Sequence, residues 1–145
     1  LPDVPEALNL LKERGFLLIV VTNQPDVGRG IQKKETVEEM HLFLKKILPL
    51  DDIFVCWHGQ DGECDCRKPL PGMLLQASEK YGIDFGKSFM IGDRWRDVNV
   101  GYTAGCKTIF IDYQYDEPLH SQPDYITISI KDAAEWVLQN QQYIV

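Results

Sequence analysis

The chain has 145 residues, 44% of them hydrophobic, and a formal net charge of −7 at neutral pH. This charge argues against a general nucleic-acid-binding protein, which usually carries a basic surface, and no apolar run reaches the roughly 20 residues that a membrane-spanning helix needs. The length suits a single domain, and the opening segment lacks the basic start and apolar stretch of a signal peptide. We therefore expect one domain over 1–145, located in the cytoplasm.

Predicted helices and strands alternate along the whole chain. Asp3 with Glu6, and Thr36 with Glu39, have the spacing of capping boxes at helix starts, and uninterrupted apolar runs predict strands that are buried on both faces. In chain order, the pattern predicts a helix over 3–14, a strand over 16–22, a helix over 36–48, a strand over 53–56, a helix over 71–81, a strand over 88–91, a helix over 97–104, strands over 107–111 and 125–128, and a helix over 129–139. This alternation predicts an α/β fold with a parallel sheet covered by helices on both faces.

A short loop after the second strand carries three cysteines and a histidine. Cys56 and His58 are separated by one residue, and Cys64 and Cys66 follow with the same spacing. Three Cys and one His form a standard closed zinc site, so we expect one structural Zn²⁺ here. A disulfide or free thiols are the alternative, but disulfides are rare in cytosolic proteins, and Cys64 and Cys66 cannot bridge each other without strain. The remaining cysteine, Cys106, opens an apolar run and is expected to be buried packing.

Polar residues follow the first predicted strand, at the edge where parallel sheets bind ligands. Thr22 and Asn23 stand directly after the apolar run, and Gly28 and Gly30 follow them. A hydroxyl and an amide in this position fit a cradle for an oxyanion or a phosphate. Thr-Asn at a strand end is also ordinary turn chemistry, so the pattern on its own is a weak indication.

Charged residues follow the cysteine loop and the third predicted strand. Arg67 and Lys68 leave the loop, and we expect them to face a phosphate rather than to be solvated surface charges. Asp93 directly follows a strand, and Asp97 lies four residues later; a carboxylate at this place can bind Mg²⁺. On the alternative reading, Asp93 is a turn residue and Asp97 a helix cap. Arg94 adds positive charge at the same edge.

These pieces together resemble the haloacid dehalogenase (HAD) superfamily. The run 19–24, an apolar strand that ends in threonine, is similar to the second motif of that family, Lys68 to the third, and the pair Asp93 and Asp97 to the fourth. The cysteine loop 56–66 resembles the branch that contains heptose-bisphosphate and histidinol-phosphate phosphatases. The resemblance runs from the first helix to the last and implies a Rossmann-like HAD fold.

The resemblance also implies a reaction. It implies a Mg²⁺-dependent phosphatase that acts on a small sugar phosphate through an aspartyl-phosphate, in which one aspartate attacks phosphorus and a second, two residues on, protonates the leaving group. The implied catalytic residues are Lys68, Asp93 and Asp97, with Asp93 as the Mg²⁺ ligand, and the implied substrate-binding residues are Thr22, Asn23, Arg67, Lys68 and Arg94.

The first motif of that family, Asp-x-Asp-Gly at the end of the first strand, is missing. No two aspartates in the chain are separated by a single residue; Asp112 follows a strand, but Gln114 stands in the second position. The chain also opens with a helix that no strand precedes. We therefore expect roughly 25–40 further residues before Leu1 in the natural gene, which supply the nucleophile strand, and no turnover of phosphate esters by this chain alone.

Alternatives for the function stay open. Heptose 1,7-bisphosphate is the expected substrate because the run 68–75 looks more like those phosphatases, whereas the compact gap between His58 and Cys64 favours histidinol phosphate. A catalytically dead binding or scaffold protein is favoured by the missing aspartates and opposed by the retained site residues. A zinc-knuckle nucleic-acid module is disfavoured by the net charge. We expect a small phosphorylated metabolite as ligand, no nucleic-acid or membrane partner, and a monomer.

Overall fold

Five strands, all paired in parallel, form two sheets in the computed structural model, which describes residues 3–58 and 64–141. The strands are β1 (Ile19–Asn23), β2 (Asp52–Cys56), β3 (Phe89–Gly92), β4 (Lys107–Ile111) and β5 (Tyr125–Thr127). β1 pairs with β2, while β4 pairs with β3 on one side and with β5 on the other. The predicted α/β fold is therefore confirmed. Within the described residues, no backbone ladder joins β1 to β3.

Helices connect the strands and cover them. Their bounds are α1 (Val4–Glu13), α2 (Pro25–Gly28), α3 (Lys34–Ile47), α4 (Gly72–Tyr81), α5 (Trp95–Ala104) and α6 (Ile130–Asn140), with a 3₁₀ turn over Phe85–Lys87. α6 begins as predicted, because the Ser129 side chain accepts a hydrogen bond from the backbone N–H of Asp132. Over the ranges that the structure describes, every helix is too short or too polar to cross a membrane.

Both predicted capping boxes are wrong, although α1 does begin directly after Asp3. The Asp3 backbone is helical, with φ −89° and ψ −4°, and its side chain makes no capping hydrogen bond; a capping residue needs a non-helical backbone. Asp3 Oδ2 instead accepts a hydrogen bond from the backbone N–H of Lys131 at 3.4 Å. Thr36 lies inside α3, which begins at Lys34, so its hydroxyl is past the position from which it could cap the helix.

The first strand begins later than the predicted range 16–22, and Asp51 accounts for the difference. The Leu18 N–H donates to Asp51 Oδ2 at 2.7 Å, and the Asp51 N–H donates to the Leu18 carbonyl at 2.8 Å. These two bonds satisfy the Leu18 backbone just outside the strand ladder. The Lys12 ammonium also contacts the Asp51 carboxylate at 2.6 Å, so that α1 is tied to the segment that enters β2.

The main apolar core lies between the larger sheet and two helices that pack on it. Ile109, in the middle of β4, is fully buried, and Ala7 and Leu11 of α1 and Ala133 and Val137 of α6 are buried in the same cluster. Small alanine side chains let the helices approach the sheet closely. This core holds the helices against β3 and β4 and so fixes the carboxyl ends of these strands.

A cavity of about 630 Å³ separates β1 from β3, and its walls are mostly apolar. Both strands line it, together with side chains from α1, α3 and α6. The lining includes Val20, Val21, Leu44, Met90, Ile91 and Val137. Side chains of these types normally fill the interior of a domain. Because β1 and β3 flank the cavity, it lies between the two sheets at the level of the strands.

We predict that replacing Asp52 with Asn makes the protein less stable at neutral pH but not in strong acid. Burial acts to raise the pKa of Asp52, but hydrogen bonds from Lys80 and Tyr81 of α4 outweigh it and lower the pKa from 3.8 to about 2. The stabilising effect is therefore fully present above about pH 4 and is lost as the pH falls towards 2. Urea unfolding at pH 7 should show a lower midpoint for Asp52→Asn, and the difference from the wild type should shrink below pH 3. The exposed Glu13→Gln is the control, and equal midpoints for Asp52→Asn and the wild type at pH 7 would contradict the prediction.

Candidate active site and metal centre

The four predicted metal ligands converge at the end of β2. The ligand atoms of Cys56, His58, Cys64 and Cys66 all lie within 4.8 Å of one another. His58 Nδ1 is 3.5 Å from the sulfur of Cys56 and 3.3 Å from that of Cys66, and the Cys56 and Cys64 sulfurs are 3.8 Å apart. Three sulfurs and an imidazole in this arrangement match the donor set of a closed tetrahedral metal site. Residues 59–63 of the predicted loop lie outside the described residues.

A disulfide is the alternative chemistry for the same cluster. Cys56 and Cys66 have Cα atoms 5.5 Å apart and are joined as a disulfide in the structure. Such a bond would leave the side chains of Cys64 and His58 beside the same two sulfurs without a role. A metal ion uses all four groups, and we therefore favour the metal centre. Cys106 lies apart from the cluster; it is half-buried, and burial raises the pKa of its thiol to about 11.

The first residues of α4 hold the end of the cysteine loop in place. Met73 is buried against Cys56 and Cys66, and the Gly72 N–H donates to the Asp65 carbonyl at 2.7 Å. A Cβ atom at Gly72 would overlap the Asp65 backbone, so only glycine allows this approach. The loop therefore leaves the cysteine–histidine cluster along a fixed path and delivers the residues that follow it to the carboxyl end of β1.

The path of the loop brings Lys68 to the carboxyl end of β1, where its side chain and backbone make three polar contacts. Its ammonium contacts Asp97 Oδ1 at 2.5 Å and the Val21 carbonyl at 3.0 Å. Its backbone N–H donates to Asn23 Oδ1 at 3.1 Å. The side chains of Lys68 and Asp97 are 14% and 8% exposed, so the pair is largely shielded from solvent. In such surroundings the contact between opposite charges is strong, and loss of one partner is costly.

Asp97 reaches this pair from the first turn of α5. That helix begins at Trp95, two residues before the predicted start, and Asp97 Oδ2 accepts a hydrogen bond from the Arg94 N–H at 3.2 Å. The carboxylate thus caps the helix and pairs with Lys68 at the same time. Gly92, at the end of β3, makes the room for it, because a Cβ atom at Gly92 would overlap the Asp97 side chain.

All seven residues that the sequence assigns to catalysis or substrate binding line one cleft. The cleft measures about 720 Å³ and opens at the carboxyl ends of β1 and β3. It is lined by Thr22, Asn23, Arg67, Lys68, Pro69, Asp93, Arg94, Trp95, Arg96 and Asp97. Four cationic side chains and two carboxylates face the same space, which suits an anionic ligand together with a divalent cation. Gly28 and Gly30 lie in and after α2 and are not part of this lining.

The sequence analysis missed the loop that follows β4. Tyr115 and Glu117 contact the residues after β3: the Tyr115 hydroxyl donates to Asp93 Oδ2 at 3.2 Å, and Glu117 pairs with Arg94 at 3.2 Å. Asp112 accepts a hydrogen bond from the Gln114 N–H at 2.7 Å and so serves the turn that begins this loop. Asp112 directly follows β4, so the strand-end rule pointed to this loop, but it gave no indication of the contacts that Tyr115 and Glu117 make.

Comparisons with known proteins identify relatives along nearly the whole chain. A family model described as HAD-hydrolase-like matches residues 65–133. Two curated relatives are the D-glycero-beta-D-manno-heptose-1,7-bisphosphate 7-phosphatases of Yersinia pestis and Escherichia coli K12, which are 35% and 36% identical to this chain. Each alignment covers 94% of this chain, and it covers 75% and 74% of the lengths of the two relatives. The crystal structure of D,D-heptose 1,7-bisphosphate phosphatase from B. bronchiseptica, complexed with magnesium and phosphate, superposes with a TM-score of 0.80 at 29% identity, covering 96% of this chain and 83% of the other.

We predict that Cys64→Ser lowers the metal content and the stability of the protein. Wild-type protein should bind about one equivalent of metal, because closed four-ligand sites bind tightly, and the three remaining ligands should hold it more weakly. Metal analysis and thermal unfolding of the purified variant check this, with Cys106→Ser as the matched control. If the Cys56–Cys66 disulfide is the true state, Cys64→Ser removes one free thiol and changes neither quantity.

We predict that Gly92→Ala disturbs the Lys68–Asp97 pair. The added methyl group overlaps the Asp97 side chain, so either that carboxylate or the β3 backbone must shift, at a cost of about 1–3 kcal/mol. Gly86→Ala is the control, because a Cβ atom there meets only the Asp84 carboxylate at an ordinary distance of 3.4 Å. Urea unfolding measures both variants, and equal stabilities would show that the Gly92 contact relaxes freely.

Proposed function

The chain belongs to the family of HAD-like hydrolases, and we propose that it acts as a Mg²⁺-dependent phosphatase on D-glycero-D-manno-heptose 1,7-bisphosphate. The observation that carries the proposal is the convergence of Thr22, Lys68, Asp93 and Asp97 on one cationic cleft at the carboxyl ends of two neighbouring sheets. Its relatives are phosphatases, so the reaction class is hydrolysis of a phosphoric monoester. The heptose-bisphosphate names of these relatives favour this substrate over histidinol phosphate.

Each cleft residue has a distinct task in the proposed reaction. The Lys68 ammonium, held by Asp97 and by the Val21 carbonyl, neutralises charge on the transferring phosphoryl group. The Thr22 hydroxyl donates to a phosphoryl oxygen, and Arg67 and Arg94 at the cleft wall bind the phosphates of the substrate. Asn23 contributes indirectly, since its side chain accepts the Lys68 N–H.

Magnesium fits the carboxylate at the end of β3. Asp93 presents hard oxygen ligands, which Mg²⁺ prefers, and phosphate oxygens commonly complete its shell. When bound, the ion would neutralise the phosphate and the developing charge of the leaving group. Asp93 lines the same cleft as Lys68, so its carboxylate can hold the ion beside the phosphoryl group that Lys68 contacts.

The cavity between β1 and β3 is the proposed place of the nucleophile. No two aspartates in the 145 residues are separated by one residue, and we propose that the attacking carboxylate comes from a segment outside them. A strand inserted in parallel between β1 and β3 would bury apolar side chains against the cavity walls. Its carboxyl end would then lie beside Thr22, Lys68 and Asp93, which line the polar end of the same cavity. A strand that ends in Asp-x-Asp therefore meets both the apolar and the polar requirement of this space.

We propose zinc as the ion of the cysteine–histidine cluster, with a structural role. Four protein ligands leave no open position for a water molecule or a substrate. The ion would fix the loop whose exit delivers Arg67 and Lys68 to the cleft. The expected cytoplasmic location and monomeric state stay predictions from the sequence.

The function is tested by comparing two proteins on heptose 1,7-bisphosphate and histidinol phosphate with Mg²⁺. One is the 145-residue chain, and the other is the extended protein, which begins at the natural start of translation and which we propose to include a strand that ends in Asp-x-Asp-Gly. Phosphate release should come from the extended protein only, with a preference for the heptose substrate, because only that protein contains the nucleophile. Activity of the 145 residues alone would show that the nucleophile has been misplaced, and an upstream strand without the two aspartates would favour a binding protein.

Within the extended protein, Asp93→Asn should reduce turnover on the order of 10²–10³-fold, as the loss of one group that stabilises transition-state charge commonly does. Asp116→Asn is the matched control, because Asp116 is an exposed carboxylate of the loop after β4 and does not line the cleft. Equal turnover of these two variants would remove Asp93 from the mechanism.

A further inference from the structure

The loop over 112–120 folds back from the end of β4 onto the residues that follow β3. Tyr115 makes the contact nearest to the proposed metal site: its hydroxyl donates to Asp93 Oδ2 at 3.2 Å. The Arg94 guanidinium lies over the ring of the same tyrosine, 4.5 Å from its centroid. One side chain of the loop thus touches both the candidate metal ligand and its cationic neighbour.

Other contacts hold this loop in place without the Tyr115 hydroxyl. Glu117 Oε1 accepts a hydrogen bond from the Trp95 N–H at 3.0 Å and pairs with Arg94 Nε at 3.2 Å. A carboxylate at this position also interacts favourably with the positive end of α5. The His120 ring stacks on the Trp95 indole, with centroids 3.8 Å apart and planes 10° apart. Removal of the Tyr115 hydroxyl alone should therefore leave the loop where it is.

The hydrogen bond limits how the Asp93 carboxylate can turn. A carboxylate without a partner rotates with little resistance about its terminal torsion, which is broad for Asp. With Oδ2 engaged by Tyr115, Oδ1 is left to bind a cation. Mg²⁺ demands nearly ideal octahedral geometry at about 2.0–2.1 Å. A carboxylate whose orientation is already fixed therefore loses less conformational entropy when it binds the ion.

We propose that Tyr115 is a positioning residue that orients the Asp93 carboxylate for Mg²⁺, acting from a loop that Glu117 and His120 anchor to the start of α5. This inference rests on the proposed role of Asp93 as a magnesium ligand. It adds to the cleft a residue that touches neither the phosphate nor the metal ion and that comes from a different strand end.

Tyr115→Phe in the extended protein tests the inference directly. Phenylalanine keeps a ring beneath Arg94 and removes only the hydroxyl that binds Asp93. We expect the dissociation constant for Mn²⁺, used as a paramagnetic probe and measured by electron paramagnetic resonance, to rise about 10-fold, since loss of such outer partners typically weakens metal binding 10–100-fold. The Mg²⁺ concentration that half-activates phosphate release should rise by a similar factor, whereas turnover at saturating Mg²⁺ should change little.

Tyr102→Phe is the matched control, because Tyr102 is 64% exposed on α5 and does not line the cleft. Thermal unfolding of both variants should match the wild type, which separates a positioning role from a structural one. Unchanged Mn²⁺ affinity in Tyr115→Phe overturns the inference while leaving the proposed phosphatase activity intact. Mn²⁺ affinity that does not change in Asp93→Asn, or an extended protein that binds no Mn²⁺, removes Asp93 as a ligand and overturns the inference together with the magnesium part of the proposed function.

Discussion

The contact between the Lys68 ammonium and the Asp97 carboxylate holds the two halves of the cleft together. Lys68 belongs to the segment that leaves the cysteine loop beside β1, and Asp97 belongs to α5 beyond β3. Both side chains are largely buried, and a buried charge that loses its partner destabilises a protein by several kcal/mol. The pair therefore also links the segment beside β1 to the helix that follows β3.

Two glycines provide the space that this contact requires. The absence of a side chain at Gly92 leaves space for the Asp97 carboxylate, and the close approach of Gly72 to Asp65 directs the chain that carries Lys68. The cysteine–histidine cluster lies just before that segment, so whatever ion or bond closes the cluster also fixes the lysine. Close backbone contacts around the cleft therefore fix the positions of its charged side chains.

Much of the fold and of the cleft follows from short-range patterns in the sequence. Apolar runs identified the strands, and the rule that parallel sheets bind ligands at their carboxyl ends predicted that Thr22 and Asp93 lie at one edge. The place of Lys68 in the same site came from the family resemblance. The cysteine–histidine cluster, which we propose as a metal site, was predicted from residue type and spacing alone. Asp3 was misread because a capping box depends on backbone angles, which its letters do not encode. Tyr115 was missed because its contact depends on the path of an irregular loop, in which Gln114 takes a positive φ of 62°.

The space between β1 and β3 has a further consequence for behaviour in solution. Each of these strands is paired on one side within the described residues, so each offers a row of backbone donors and acceptors beside an apolar wall. Such inner edges accept any extended segment of suitable register, including one from a neighbouring molecule. A protein in which this space stays open should associate with itself as its concentration rises, whereas filling the space with a strand of the same polypeptide removes both edges at once. The proposed central strand would therefore limit self-association in addition to carrying the nucleophile.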